Sequence, residues 1–83
     1  MCTTYILFSQ RLDKFYIGFT CDLMEERLRK HNSNHKGFTG KIDDWKVVYK
    51  EDFADKALAY KREREIKRRK SRKYIEKLIG SAG

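Results

Sequence analysis

Two short runs near the N-terminus, TTYILF (residues 3–8) and FYIGFT (15–20), are separated by one polar stretch, SQRLDK. Both runs are rich in β-branched and aromatic residues, and together they predict a β-hairpin. An isolated hairpin is at best marginally stable in water, so the rest of the chain has to cover it. The second run carries Gly18 in its middle. Glycine weakens a strand interior and often marks a close approach by another backbone or a ligand. A four-residue loop would pair Phe8 with Asp13 and set Tyr5 opposite Tyr16. Alternation then puts Tyr16, Gly18 and Thr20 on one face and Phe15, Ile17 and Phe19 on the other. Two tyrosines would stand side by side, with space at Gly18 for a phosphate.

The remaining chain supplies the cover. Asp22 is a natural N-cap for a helix over LMEERLRKH, 23–31. Residues 32–44 read as a loop, and WKVVYKEDF (45–53) as a third strand. A second helix is expected over 55–69 with Asp55 as its cap, and Ser71 caps a third through YIEKLI. The order β-β-α-β-α-α predicts an α+β fold, a three-stranded antiparallel sheet flanked by helices. At 83 residues the chain fits one domain, 3–79, with 80–83 as a tail. A core this small argues for a site at the surface or in a shallow groove.

Charge is the next constraint. Residues 1–55 hold nine Lys/Arg and nine Asp/Glu, so the net +8 falls in KALAYKREREIKRRKSRKYIEK, 56–77. Such charges can be simply solvated on free helix faces. Eight surplus positive charges in 22 residues exceed what solubility needs, and favour a polyanion, nucleic acid above all. No wide apolar face accompanies them, and no long apolar run is present, which argues against a membrane partner. The N-terminus lacks the pattern of a signal peptide. Cys2 and Cys21 form no CxxC and are expected as reduced thiols in a cytoplasmic protein. Together with His31 and His35 they fit no standard zinc spacing.

Three polar residues fall on faces meant for the core. Arg27 and His31 lie within about 60° of Met24 on the first helix, inside its apolar stripe. Either one alone would be ordinary, as a snorkelling arginine or a helix-end histidine. Four residues apart on the same face, they suggest a polar site beneath the helix. On the second helix Glu63 shares a stripe with Ala59 and Ile66. An ion pair with Arg27 would account for it. So would a metal ion or general-base chemistry, since one carboxylate with water and phosphate oxygens is a common Mg²⁺ arrangement.

These residues together resemble the GIY-YIG nuclease family. TTYIL stands where the family has GIY, keeping Tyr5 without the glycine, and YIG is intact as Tyr16-Ile17-Gly18. ERLRKHN carries the Arg and His of the following helix, Arg27 and His31, and KREREIK carries the family's metal-binding glutamate, Glu63. The Tyr16–Arg27 spacer is one residue longer than in many members. The asparagine usual after the last helix has no counterpart in IGSAG.

The resemblance implies a small stand-alone endonuclease that hydrolyses DNA phosphodiesters with Mg²⁺ or Mn²⁺, in DNA repair or recombination. Glu63 would hold the metal. Tyr5 would act as general base with His31 as proton relay, Arg27 would neutralise the pentacovalent phosphate, and Tyr16 would position phosphate or water. Gly18, Lys41, Arg62, Lys67 and Arg69 are the expected substrate contacts. A domain this small suggests cutting that is structure-selective, on branched or damaged DNA, or non-specific, with a protein partner for targeting. The alternative is a catalytically weak or inactive nucleic-acid-binding module, working through the basic helix 56–77.

Overall fold

In a computed structural model, residues 1–33, 44–69 and 71–82 are described. They form β1 (Cys2–Ser9), β2 (Lys14–Thr20), α1 (Met24–Ser33), β3 (Lys46–Phe53), α2 (Lys56–Arg69) and α3 (Arg72–Ala82). The strands make one antiparallel sheet in the order β2-β1-β3, the α+β arrangement expected. β1 is the central strand, and Thr4, Tyr5, Ile6 and Leu7 are fully buried. That explains its unbroken apolar run, because a strand covered on both faces has no solvent side to make polar.

The hairpin register differs from the one expected. Tyr5 lies opposite Gly18, Leu7 opposite Tyr16 and Phe8 opposite Phe15. Ser9 is still a strand residue, paired with Lys14, and the turn is Gln10–Asp13. Asp13 takes φ 51°, a left-handed conformation that aspartate tolerates better than most residues. The Ser9 hydroxyl accepts from the Leu12 N–H and donates to Asp44. With these bonds the turn lies one residue beyond the expected 9–12 loop, which shifts the strand register by two. Face assignments survive, because a shift of two preserves alternation.

The even-numbered face of β1 meets α2 and α3. Ile6, Ile66 and Ile75 form the core, with Phe15, Ile17, Val48 and Tyr49 packed around them. A bulge in β3 leaves Val48 unpaired between Tyr49, opposite Ile6, and Val47, opposite Leu7. An extra residue re-aims its neighbours, so Val48 and Tyr49 both reach this core. Ala59 is fully buried, and its carbonyl accepts from the Thr4 hydroxyl at 2.6 Å, seating α2 close on the sheet. Both later caps form as expected, with Asp55 accepting from the Leu58 N–H and Ser71 from the Tyr74 N–H. The basic segment 56–77 is therefore two helices, and the second runs on through Ala82 rather than ending at Ile79.

α1 lies on the opposite face, where Met24 and Leu28 line a recess with Val47. It starts one residue later than an Asp22 cap requires. Leu23 supplies the first carbonyl, to the Arg27 N–H, and the Asp22 N–H donates to the Thr20 hydroxyl. Most of the expected 32–44 loop, with His35 and Lys41, lies outside the described residues.

Cys2 and Cys21 form a disulfide, correcting the expectation of free thiols. The register is the reason. Thr3 pairs with Thr20, which carries the flanking cysteines to facing positions at the open end of the hairpin. Sequence spacing does not reveal that juxtaposition, and the pairing removes the ground on which a reducing compartment was expected. No described helix is long and apolar enough to cross a membrane.

Candidate active site

Tyr5 is the centre of the site. Its hydroxyl accepts a hydrogen bond from Arg27 Nε at 3.2 Å and lies 3.4 Å from His31 Nε2. The two polar residues on the buried stripe of α1 thus converge on one tyrosine of the central strand. Tyr16 joins them from β2. Its ring centroid is 6.4 Å from that of Tyr5 and 4.7 Å from the His31 ring, which it meets edge-on. Tyr5 is fully buried, whereas Tyr16 is 39% exposed at the mouth.

The environment sets the charge states. Burial raises the Tyr5 pKa above the usual 10, and the Arg27 hydrogen bond only partly offsets it. Tyr5 is therefore a neutral phenol near pH 7. Burial, aided by the Arg27 charge, lowers the His31 pKa below 6.5, so His31 is a neutral imidazole. With Arg27 donating to the phenol oxygen, the phenol's own proton is free to be donated to His31 Nε2. The arrangement gives a hydrogen-bonded path from Tyr5 to His31, along which both shifts hold the resting proton on Tyr5.

Gly18 now has its explanation. A β-carbon there would stand 2.8 Å from Tyr5 Oη and 3.0 Å from Tyr16 Cε1. The space beside Gly18 belongs to the two tyrosines, not to an incoming phosphate as expected. Gly18 serves the site by letting the two rings approach.

Glu63 is largely shielded, with 12% of its side chain exposed, and pairs with Lys67 at 3.2 Å. The alternative pairing with Arg27 is not formed; Arg27 turns to Tyr5. The Glu63 charge is felt at Tyr5, where it favours the neutral phenol. Lys67 lines both the recess holding Glu63 and an open groove of about 490 Å³ that reaches Tyr16, Lys14 and Arg72. Among the described residues no cluster of three or more His, Cys, Asp or Glu could hold a metal. Glu63 is a shielded carboxylate that could hold a metal ion. A shielded hard oxygen donor beside a displaceable ammonium suits Mg²⁺ or Mn²⁺.

The other expected contacts divide. Arg62 is engaged within the fold. It bonds Glu51 at 2.9 Å, Glu65 at 3.2 Å and Tyr74 at 3.4 Å, tying α2 to β3 and α3. Arg69 lies over the Tyr74 ring at 4.6 Å. Two contributors were not legible beforehand. The Asn32 side chain bonds both the N–H and the carbonyl of Trp45, and the Trp45 ring lies 6.3 Å from Tyr16 and 6.4 Å from His31. The one signal was a single tryptophan directly after a polar loop.

The family model of the GIY-YIG catalytic domain matches residues 1–75. The chain belongs to the GIY-YIG family, whose membership implies nuclease chemistry on DNA. Members are generally dependent on a divalent metal. No curated protein and no solved structure gives a significant match to the chain.

Proposed function

We propose that this protein is a metal-dependent DNA endonuclease, structure-selective or non-specific, acting in DNA repair or recombination. The observation that carries the reading is the Tyr5 hydroxyl bracketed by Arg27 Nε and His31 Nε2. A structural tyrosine needs one partner; this one has a cation and a neutral base on either side.

In this mechanism Arg27 turns its guanidinium to the scissile phosphate and neutralises charge as the pentacovalent state forms. Its withdrawal uncovers Tyr5. A water molecule gives a proton to Tyr5 Oη while Tyr5 passes its own to His31 Nε2. The water oxygen bonds to phosphorus as the opposite P–O bond breaks, and the leaving oxygen takes a proton from solvent. Tyr16 positions the attacked group. Glu63 would hold a divalent ion, which would supply charge neutralisation to the reacting phosphate. Lys67 and Arg69 contact backbone phosphates without reading sequence.

The complete burial of Tyr5 favours a second reading, a DNA-binding module with little turnover. One assay separates them: nicking of supercoiled plasmid and of flapped DNA with Mg²⁺ or Mn²⁺ and with EDTA, wild type beside Glu63→Ala. Metal-dependent cutting lost in the variant supports the nuclease. Cutting that persists in the variant overturns the Glu63 assignment. DNA retention without cutting moves the weight to the binding module.

A further inference from the structure

The single tryptophan is not in the core. Ile6, Ile66 and Ile75 and their apolar neighbours lie on the opposite face of the sheet, and among the described residues the ring neighbours of Trp45 are Tyr16 and His31. The backbone of Trp45 is held on both sides by Asn32, at 2.9 Å through its N–H and 3.0 Å through its carbonyl. A half-buried indole, fixed by its main chain beside a 39%-exposed Tyr16, forms an aromatic surface at the rim of the site. An indole and a phenol so placed offer flat apolar faces with polar tips at the rim.

We infer that Trp45 stacks an unpaired nucleobase of the DNA substrate next to the reacting phosphate, with Tyr16, its ring inclined 68° to the indole, meeting that base edge-on. The DNA assignment rests on the nuclease reading above. Charge complementarity favours this occupant. An open groove lined by Lys14, Lys67 and Arg72 reaches Tyr16, and Lys46, beside Trp45, is exposed. Single-stranded nucleic acid is held by this pairing of basic surface with aromatic faces. Base faces inside a duplex are already stacked and cannot be offered without flipping. The surface therefore selects DNA with an unpaired nucleotide at the cut, such as a flap, loop or branch, and supplies structure selectivity without a recognition sequence.

The test uses Trp45 as its own reporter, since it is the one tryptophan in the chain. Its fluorescence, excited where tyrosine does not absorb, is titrated without metal against a thymidine oligonucleotide and an abasic oligonucleotide of equal length and charge. Quenching by the first and not the second is expected. Trp45→Ala should weaken binding of the thymidine strand about 5- to 150-fold, as loss of one stacked base predicts, and Trp45→Phe should restore most of it. Equal quenching by the abasic strand, or no quenching by either, overturns the proposal, and neither result depends on a variant folding. Quenching without nicking would instead sink the nuclease reading alone, and nicking without quenching would sink this inference alone.

Discussion

The Tyr5 hydroxyl occupies the place where a side chain on Gly18 would begin, 2.8 Å from that residue's β-carbon position. The ring cannot swing away cheaply, because it is fully buried and its oxygen is engaged by Arg27 and His31. Gly18→Ala should therefore cost about 1–3 kcal/mol of stability by overpacking and reduce cleavage by displacing Tyr5. Denaturant unfolding and plasmid nicking check the two effects. Wild-type values in both would refute the close approach.

Tyr5→Phe keeps the ring and removes the shared hydroxyl. Cleavage should fall about 10²- to 10⁴-fold, the usual contribution of a positioned proton-transfer group. DNA retention on a gel should be close to wild type. Cleavage within a few-fold of wild type would remove Tyr5 from the proton path.

His31 has to be neutral to accept the proton, and its burial beside Arg27 moves its pKa below 6.5. A group whose neutral form is favoured in the fold holds that form above its folded pKa and loses it as pH falls through that value. Cleavage should be level from neutral pH upward into the mildly alkaline range and decline only below the ordinary histidine range, about tenfold per pH unit. A pH–rate profile whose acid limb is centred above 6.5 would exclude His31 as the acceptor.

Arg62 joins β3, α2 and α3 through Glu51, Glu65 and Tyr74. With its side chain 21% exposed and that of Glu51 29% exposed, the charge-assisted bonds are only partly screened. Arg62→Ala should lower stability by about 1–3 kcal/mol, seen as a lower denaturation midpoint. The salt dependence of DNA binding should keep its slope, whereas Lys67→Ala should make it shallower by about one phosphate contact. A shallower slope in Arg62→Ala would return that residue to the DNA surface.

The Cys2–Cys21 bridge closes the open end of the hairpin, next to the turn that leads into α1. Reduction should cost about 2–4 kcal/mol by freeing the unfolded chain, a fall in melting temperature on the order of 10 °C. Thermal scans with and without a dithiol measure it. Identical melts would show that the bridge contributes nothing to the fold.

Much of this was legible from the chain alone. The element order, the strand faces, the Asp55 and Ser71 caps and the misplaced Arg27, His31 and Glu63 all follow from local periodicity and capping chemistry. Those signals depend on near neighbours in sequence, and tertiary packing did not override them. Register, disulfide pairing and the partners of each polar group depend on residues far apart in the chain. The Ser9–Asp44 bond and the left-handed Asp13 go with a hairpin register shifted by two residues. That movement put Gly18 under Tyr5 and Cys2 against Cys21. Arg62 reads in sequence as one more cation of a basic helix; folding set Glu51 and Tyr74 around it. Sequence determined which residues face the site, because side-chain direction is a local property of a helix or strand. Only the tertiary structure decided which of them touch, because contact requires three elements to meet at one register.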